Sequence, residues 1–215
     1  MKEVAAARAK VGPDGAVMFD AHSAVPPPAL IQFANAIQPH DLLFIEEPAV
    51  PGDIQVFKRI KEAVHVPLAT GERDRTIWGM LPYLTERCVD ILQPDVGHTG
   101  GITQMKKIAA LAEAFTVPLA PHSIMSELGV AASLHVCASI PNFLIQESRL
   151  ADHILPEGVL VPSFDANVDG YATLPTGPGL GVEVNEARFA EVNADPKRQF
   201  HWPKPKAKDG AVSDY

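Results

Sequence analysis

This sequence has few cysteines, no long apolar runs and no excess of positive charge. Its 215 residues include two cysteines, Cys88 and Cys137, which lie in apolar stretches without metal-type spacing, so we expect reduced, buried thiols. No apolar run approaches the ~20 residues that cross a membrane, and the opening MKEVAAARAK lacks the apolar core of a secretory signal. The net charge of −8 argues against nucleic acid or an anionic membrane as a partner. These absences predict a cytoplasmic protein that binds neither.

The sequence does contain a series of short apolar segments at a nearly constant spacing. With 47% apolar and 20% charged residues, its composition is that of a globular domain. The last residues of the segments follow one another at intervals of 26, 26, 23, 27 and 25 residues, which leaves room each time for a helix between two loops. We therefore predict parallel strands that alternate with helices. The predicted strands are 16–20, 42–46, 67–72, 89–95, 117–122 and 143–147.

The segments between these strands have the periodicity of helices. Asp53 is a good N-cap for one helix, and the Gly100-Gly101 turn precedes another. We also expect helices at 28–37 and 126–140. The apolar positions that recur on one helix face are Ile54, Phe57, Ile60 and Val64 in the first helix, and Ile102, Met105, Ile108, Ala112 and Phe115 in the second.

Each predicted strand is apolar until its last residue, which is acidic or histidine. Parallel strands covered on both faces are expected to be apolar throughout, so a polar end needs a reason. One terminal carboxylate could cap the next helix, but six consecutive polar ends favour a (β/α) barrel, in which the strand C-termini open onto the face with the active site. An open, doubly wound sheet is the alternative fold. The six residues are Asp20, Glu46, Glu72, Asp95, His122 and Glu147.

Three of these residues, Asp20, Glu46 and Glu72, end consecutive strands and are candidate metal ligands. Neighbouring strands lie about 4.8 Å apart, and three carboxylates that close need a compensating charge. Oxygen-only ligands favour Mg²⁺. The alternative is that some of these carboxylates cap helices or pair with nearby arginines. Because Glu47 adjoins Glu46 and successive strand side chains point to opposite faces, periodicity leaves open which of the two faces the site.

Acid–base groups follow at the neighbouring strand ends. A carboxylate beside an imidazole fixes its tautomer and raises its basicity, so Asp95 and His122 suggest a general base. His22 lies two residues after Asp20 and is aimed toward the same cavity, while Glu147 could donate a hydrogen bond to an oxyanion. His98 is a candidate substrate contact. The Gly100-Gly101 pair could bind an anion at the start of a helix, although a tight turn is the simpler interpretation.

Taken together and in order, the motifs resemble those of the enolase superfamily, in its mandelate racemase/muconate lactonizing enzyme branch and close to D-galactonate dehydratases. The resemblance runs from about residue 3 to about residue 190. The matching stretches are FDAH at 19–22, FIEEP at 44–48, GER at 71–73, QPD at 93–95, GGIT at 100–103, PH at 121–122, IQE at 145–147 and PGLGVEV at 178–184.

The resemblance implies a hydro-lyase that removes water from a sugar acid such as galactonate and gives a 2-keto-3-deoxy acid through an enediolate. It also implies that Asp20, Glu46 and Glu72 bind Mg²⁺. His122, paired with Asp95, would remove the proton beside the substrate carboxylate, with Glu147 nearby. His22 would act as the acid that expels the hydroxyl group. The alternatives are a racemase or epimerase of the same superfamily and an inactive remnant.

Members of this family begin with a capping domain, which is followed by barrel strands one and two. By this resemblance, the present sequence begins later, in the helix that precedes strand three. The resemblance therefore implies an incomplete barrel, strands three to eight, without the capping domain. We expect the partial barrel at 1–154, a Pro/Gly-rich segment that completes the fold at 155–195 and a polar tail at 196–215. We also expect a homo-oligomer, and an isolated chain that aggregates or takes strands from another polypeptide and turns over no sugar acid.

Overall fold

Four parallel strands form the centre of the computed structural model, which describes residues 1–147, 155–163 and 170–194. The strands are β1 (Met18–Asp20), β2 (Phe44–Glu46), β3 (Leu68–Thr70) and β4 (Ile91–Leu92), and they pair in chain order. Parallel bridges from Leu92 to Leu119 and from Leu119 to Phe143 extend the array to the last two predicted strand positions. The predicted succession of parallel strands is therefore confirmed.

The regular strands are shorter than the apolar segments that predicted them, and Gly71 shows why. It follows β3 with φ of 141°, in a region open to glycine but unfavourable for other residues. A Cβ atom at this position would lie 3.1 Å from the main chain of Gln93. The chain thus leaves the sheet before Glu72, which lies in the loop just beyond β3 and not at the last position of the strand.

Helices separate the strands, as expected. They are α1 (Lys2–Val11), α2 (Pro27–Ile37), α3 (Ile54–Ala63), α4 (Thr76–Thr85), α5 (Gly101–Ala114) and α6 (Glu127–Cys137). The Asp53 side chain accepts a hydrogen bond from the Val56 amide and caps α3 as predicted. Helix α6 ends at Cys137, short of the predicted 140.

The core lies between the sheet and the helices that cover its outer face. Phe57 of α3 and Tyr83 of α4 pack edge to face, with ring centroids 4.9 Å apart. Both cysteines are buried and free, as predicted, and burial raises the pKa of the Cys88 thiol to about 11 and that of Cys137 to about 12. The largest side chains that are fully buried include Leu30, Ile37, Ile45, Ile60, Leu68, Met80, Leu84, Leu92, Met105 and Ile108.

The C-terminal part of the chain has a different character. Strands β5 (Leu160–Val161) and β6 (Glu183–Val184) pair antiparallel. Helix α7 (Glu186–Asn193) follows. The predicted tail at 196–215 lies outside the described residues. None of the described helices combines the length and the apolar character that crossing a membrane requires.

Candidate active site

The predicted site residues lie together where the parallel strands end. Asp20 is the last residue of β1 and is in register with Glu46, the last residue of β2. Glu72 follows β3 by two residues, and Asp95 follows β4 by three. Because the strands are parallel, all these side chains open onto the same face of the sheet.

Two residues with an uncommon backbone conformation lie in the loops on this face. His22 and Glu47 both have positive φ, 46° and 45°, which is uncommon for residues other than glycine and concentrates at functional sites. The His22 amide donates to Asp20 Oδ1 at 2.7 Å, and the Ser23 amide donates to the Glu47 carbonyl at 2.8 Å. The first bond closes the turn after β1, and the second holds the end of β1 against the end of β2.

Glu47 is a fully buried carboxylate whose oxygens are already occupied. Arg73 donates to Glu47 Oε2 through Nε at 2.8 Å and makes a second, shorter contact through Nη2. Ser23 donates to the same oxygen at 3.3 Å, and the Thr70 hydroxyl donates to Oε1. The alternative for the three candidate ligands is that some of them pair with an arginine. Arg73 pairs with Glu47, which is not one of the three, and its Nε atom also lies 3.9 Å from Glu72 Oε1. Of the two adjacent glutamates, Glu46 is therefore the one that can share a cation with Asp20, with which it is in register.

Glu46 has the most perturbed carboxyl group of the cluster. Burial, its largest cause, raises the pKa of Glu46 to about 7, a hydrogen bond from Gln93 opposes the rise, and the charges of Asp20, Glu147 and Glu72 add to it. Burial likewise raises the pKa of Glu72; His122 opposes this, and the charges of Glu47 and Asp20 add to it. The negative charges of these carboxylates therefore repel one another at the C-terminal ends of the strands.

This donor set suits a hard divalent cation, because it supplies oxygen atoms alone and its mutual repulsion would be relieved by a positive charge. Residues that could contribute are Asp20, Glu46 and Glu72. Across residues 1–147, 155–163 and 170–194, no three Asp, Glu, His or Cys side chains converge closely enough to enclose a metal ion. The chemistry of the donors thus fits a cation, and enclosing one requires their side chains to turn toward a common point.

Asp95 and His122 form the predicted pair. The distance from His122 Nδ1 to Asp95 Oδ2 is 2.7 Å, and both side chains are buried. Because an ionised carboxylate can only accept, Nδ1 carries the hydrogen and Nε2 is the free nitrogen of the neutral ring. His122 Nε2 lies 3.5 Å from Glu72 Oε2, so the free nitrogen points into the carboxylate cluster.

The pair shifts the acidity of both partners. Burial, the largest influence on the pKa of His122, lowers it, but the hydrogen bond from Asp95 and the charges of Glu72 and Glu147 raise it above its usual value. For Asp95, burial would raise the pKa, yet the bond and charge of His122 outweigh burial and lower it. An imidazole with raised basicity, held in one tautomer, is suited to removing a proton.

His22 and Glu147 lie at the rim of the same site, and both are exposed. His22 Nε2 is 3.9 Å from Glu72 Oε1, so the imidazoles of His22 and His122 flank opposite oxygens of one carboxylate. Glu147 Oε2 accepts a hydrogen bond of 2.8 Å from the amide of Ser123, the residue after His122. The structure therefore brings all seven predicted site residues to one face.

Gln93, a residue of the site without a predicted role, is buried beside Glu46. Arg73, predicted as a possible partner of the acidic cluster, pairs with Glu47. Gln93 lies two residues before Asp95, so the period of a strand could have placed both on one side. The Gly100-Gly101 pair forms a tight turn in which the Gly101 amide donates to Val96 at 3.0 Å.

Parallel strands that alternate with helices, with carboxylates and an Asp–His pair at the C-terminal strand ends, define a domain of the β/α-barrel class. Comparison with known proteins places the chain more narrowly. The sequence model of the family described as "Enolase C-terminal domain-like" matches residues 1–188. The chain belongs to this family, which confirms the predicted fold class.

Relatives and solved structures agree with this assignment. The chain is 35% identical over 214 residues to a D-galactonate dehydratase family member of Streptomyces bingchenggensis, covering 99% of this chain and 51% of that protein. It is 34% identical over 204 residues to a D-galactonate dehydratase of Ralstonia pickettii, covering 92% and 53%. An enolase from Agrobacterium radiobacter, solved with sodium and L-malate bound, superposes with a TM-score of 0.84 at 33% identity, covering 98% of this chain and 56% of the other. The chain spans about half the length of the relatives it matches.

Proposed function

We propose that this chain carries the metal-binding and acid–base part of a Mg²⁺-dependent sugar-acid dehydratase, which acts on an aldonate of the galactonate type. The observation that carries the proposal is the buried His122–Asp95 pair, 2.7 Å apart, whose free nitrogen faces the carboxylate cluster. The relatives named D-galactonate dehydratase support the choice of substrate class.

The proposed reaction assigns the two imidazoles opposite tasks. His122 Nε2 takes the proton from the carbon beside the substrate carboxylate, and the Nδ1–H group bound to Asp95 stabilises the imidazolium that forms. His22, beyond Glu72, donates a proton to the hydroxyl group on the next carbon, which leaves as water. The resulting enol then becomes the 2-keto-3-deoxy acid by moving a proton to the third carbon.

The carboxylates complete the proposed site. Asp20, Glu46 and Glu72 would hold the Mg²⁺ ion, whose charge favours formation of the enediolate from the bound acid. Glu147 accepts a hydrogen bond from the Ser123 amide, which places its carboxyl group at the edge of the proposed site.

Product analysis tests the proposal. Because the isolated chain is expected to turn over no sugar acid, this test and the later tests with substrate use a full-length version, in which a capping domain and the first two barrel strands precede the chain. The Mg²⁺-loaded protein is incubated with a panel of aldonates, and the product is identified by NMR and by reaction of the new keto group with semicarbazide. We expect a 2-keto-3-deoxy acid from at least one aldonate, formed with Mg²⁺ and lost with a chelator. Formation of an epimer without loss of water would instead identify a racemase or epimerase. Failure to change any acid of the panel would contradict the assignment.

A further inference from the structure

His98 is an exposed imidazole beside the proposed base, and neither the proton removal nor the loss of water uses it. Its ring lies close to parallel to that of His122, with centroids 6.2 Å apart and an interplanar angle of 26°. Its Nδ1 atom lies 2.9 Å from the carbonyl oxygen of Glu72. The side chain therefore adjoins both the acid–base pair and the carboxylate cluster.

The loop that carries His98 is tied to Asp95 at several points. The amides of Gly97 and His98 donate to Asp95 Oδ1 at 2.7 Å and 3.1 Å, and the Thr99 hydroxyl donates to the Asp95 carbonyl at 2.9 Å. A Cβ atom at Gly97 would lie 3.2 Å from Asp95 Oδ1, so the chain passes close to this carboxylate. The position of His98 is thus fixed by the same carboxylate that orients the base.

The bond to Glu72 determines the tautomer of His98. A carbonyl oxygen can only accept, so Nδ1 carries the hydrogen. In the neutral ring Nε2 is then a hydrogen-bond acceptor, and no partner for it is found among the described residues. An exposed acceptor held in place at the mouth of a site is suited to a hydroxyl donor, which a polyhydroxylated acid supplies along its chain.

We propose that His98 is a specificity-determining residue, whose Nε2 atom accepts a hydrogen bond from one hydroxyl group of the sugar acid. This inference rests on the proposed function and adds a substrate contact to it. The imidazole takes no proton in the reaction; it selects acids that carry a hydroxyl at the position it reaches.

The test measures binding of D-galactonate and its singly deoxygenated analogues by calorimetry in the presence of Mg²⁺. His98→Asn keeps an amide donor for the Glu72 carbonyl but removes the Nε2 acceptor, and His98→Gln restores a carbonyl oxygen near the lost nitrogen. His65→Asn, at an exposed position after α3, is the matched control. Thermal unfolding of each variant verifies that it is folded.

We expect His98→Asn to weaken galactonate binding about tenfold, the usual effect of losing one hydrogen bond, and His98→Gln to recover part of it. One deoxy analogue should bind the wild type and His98→Asn equally well, since it lacks the hydroxyl that His98 binds. An unchanged affinity for galactonate in His98→Asn would overturn the inference. So would an equal loss of affinity in this variant for galactonate and for every deoxy analogue, because it would indicate that His98 contacts the substrate carboxylate or only supports the loop. If the wild type neither binds nor dehydrates galactonate, the proposed function fails with it, and that result appears before any variant is made.

Discussion

At the scale of single residues, Glu46 and Glu47 are adjacent carboxylates with opposite surroundings. Glu47 is buried against Arg73 and Thr70, whereas Glu46 shares the site with Asp20 and Glu72. We predict that Glu46→Gln weakens Mg²⁺ binding at least tenfold, because it removes a charged ligand. Glu47→Gln should leave Mg²⁺ affinity nearly unchanged but lower the free energy of unfolding by about 3 kcal/mol, since it removes the buried charge that pairs with Arg73.

Calorimetric titration with Mg²⁺ and urea unfolding of both variants separate the two roles. Equal losses of Mg²⁺ affinity in the two variants would refute the assignment of Glu46 as the ligand.

The pairing of His122 with Asp95 gives a pH-dependent prediction. Asp95 raises the pKa of His122, and a base must be neutral to take a proton, so the rate should rise with pH through the pKa of His122. Asp95→Asn removes the negative charge and weakens the hydrogen bond. The pKa of His122 then falls, and the acidic limb of the pH–rate profile moves to lower pH, while the maximal rate drops by about 100-fold or more.

The profile of kcat against pH checks this for the wild type, Asp95→Asn and the exposed control Asp14→Asn. An acidic limb that stays in place in Asp95→Asn would show that this carboxylate does not set the acidity of the base.

Much of the site could be predicted from single residues, because each polar residue that interrupts an apolar segment marks a strand end. The choice between Glu46 and Glu47 could not be made from strand periodicity. It depends on Arg73, which approaches from the loop after β3, and on the positive φ of Glu47, which redirects the chain. Such contacts between loops 26 residues apart leave no local pattern in the sequence.

At the scale of elements, the start of α3 is fixed by one side chain. Asp53 Oδ1 accepts from the Val56 amide at 3.3 Å, and α3 buries Phe57 and Ile60 in the core. We predict that Asp53→Ala lowers the free energy of unfolding by about 1 kcal/mol, and that Asp53→Asn, which retains a capping oxygen, costs only a few tenths. Urea unfolding measures both, and equal stability of Asp53→Ala and the wild type would contradict the capping role.

Helices with a clear apolar periodicity can be predicted from the sequence. Helix α4 is less evident, because residues that disfavour helices interrupt it. Its sequence contains Gly79 and Pro82, which both disfavour helix interiors, and it leaves Trp78 exposed. Burial of Met80, Tyr83 and Leu84 in the core outweighs these local preferences. The early end of β3 also depends on tertiary contact, since the chain turns at Gly71, where φ is positive and a Cβ atom would lie 3.1 Å from the main chain of Gln93.

At the scale of the whole molecule, association into a homo-oligomer stays a prediction. The segment Phe143, Leu144 and Ile145, at the end of the described parallel array, keeps 41%, 39% and 37% of its surface exposed. Adjoining apolar side chains of this kind favour burial against another surface. We expect sedimentation equilibrium to give a mass above that of one chain and Phe143→Lys to lower it. A wild-type protein that is monomeric at tens of micromolar would contradict this.

The central claim is that His122 removes a proton from a sugar acid beside the carboxylate cluster, and solvent exchange tests it most directly. In His22→Asn the loss of water is blocked, so proton removal from D-galactonate should appear as deuterium incorporation at the second carbon in D₂O, followed by NMR. We predict incorporation that requires Mg²⁺, stops on adding a chelator and is absent in the double variant His22→Asn/His122→Asn. Incorporation at an unchanged rate in the double variant would contradict the account.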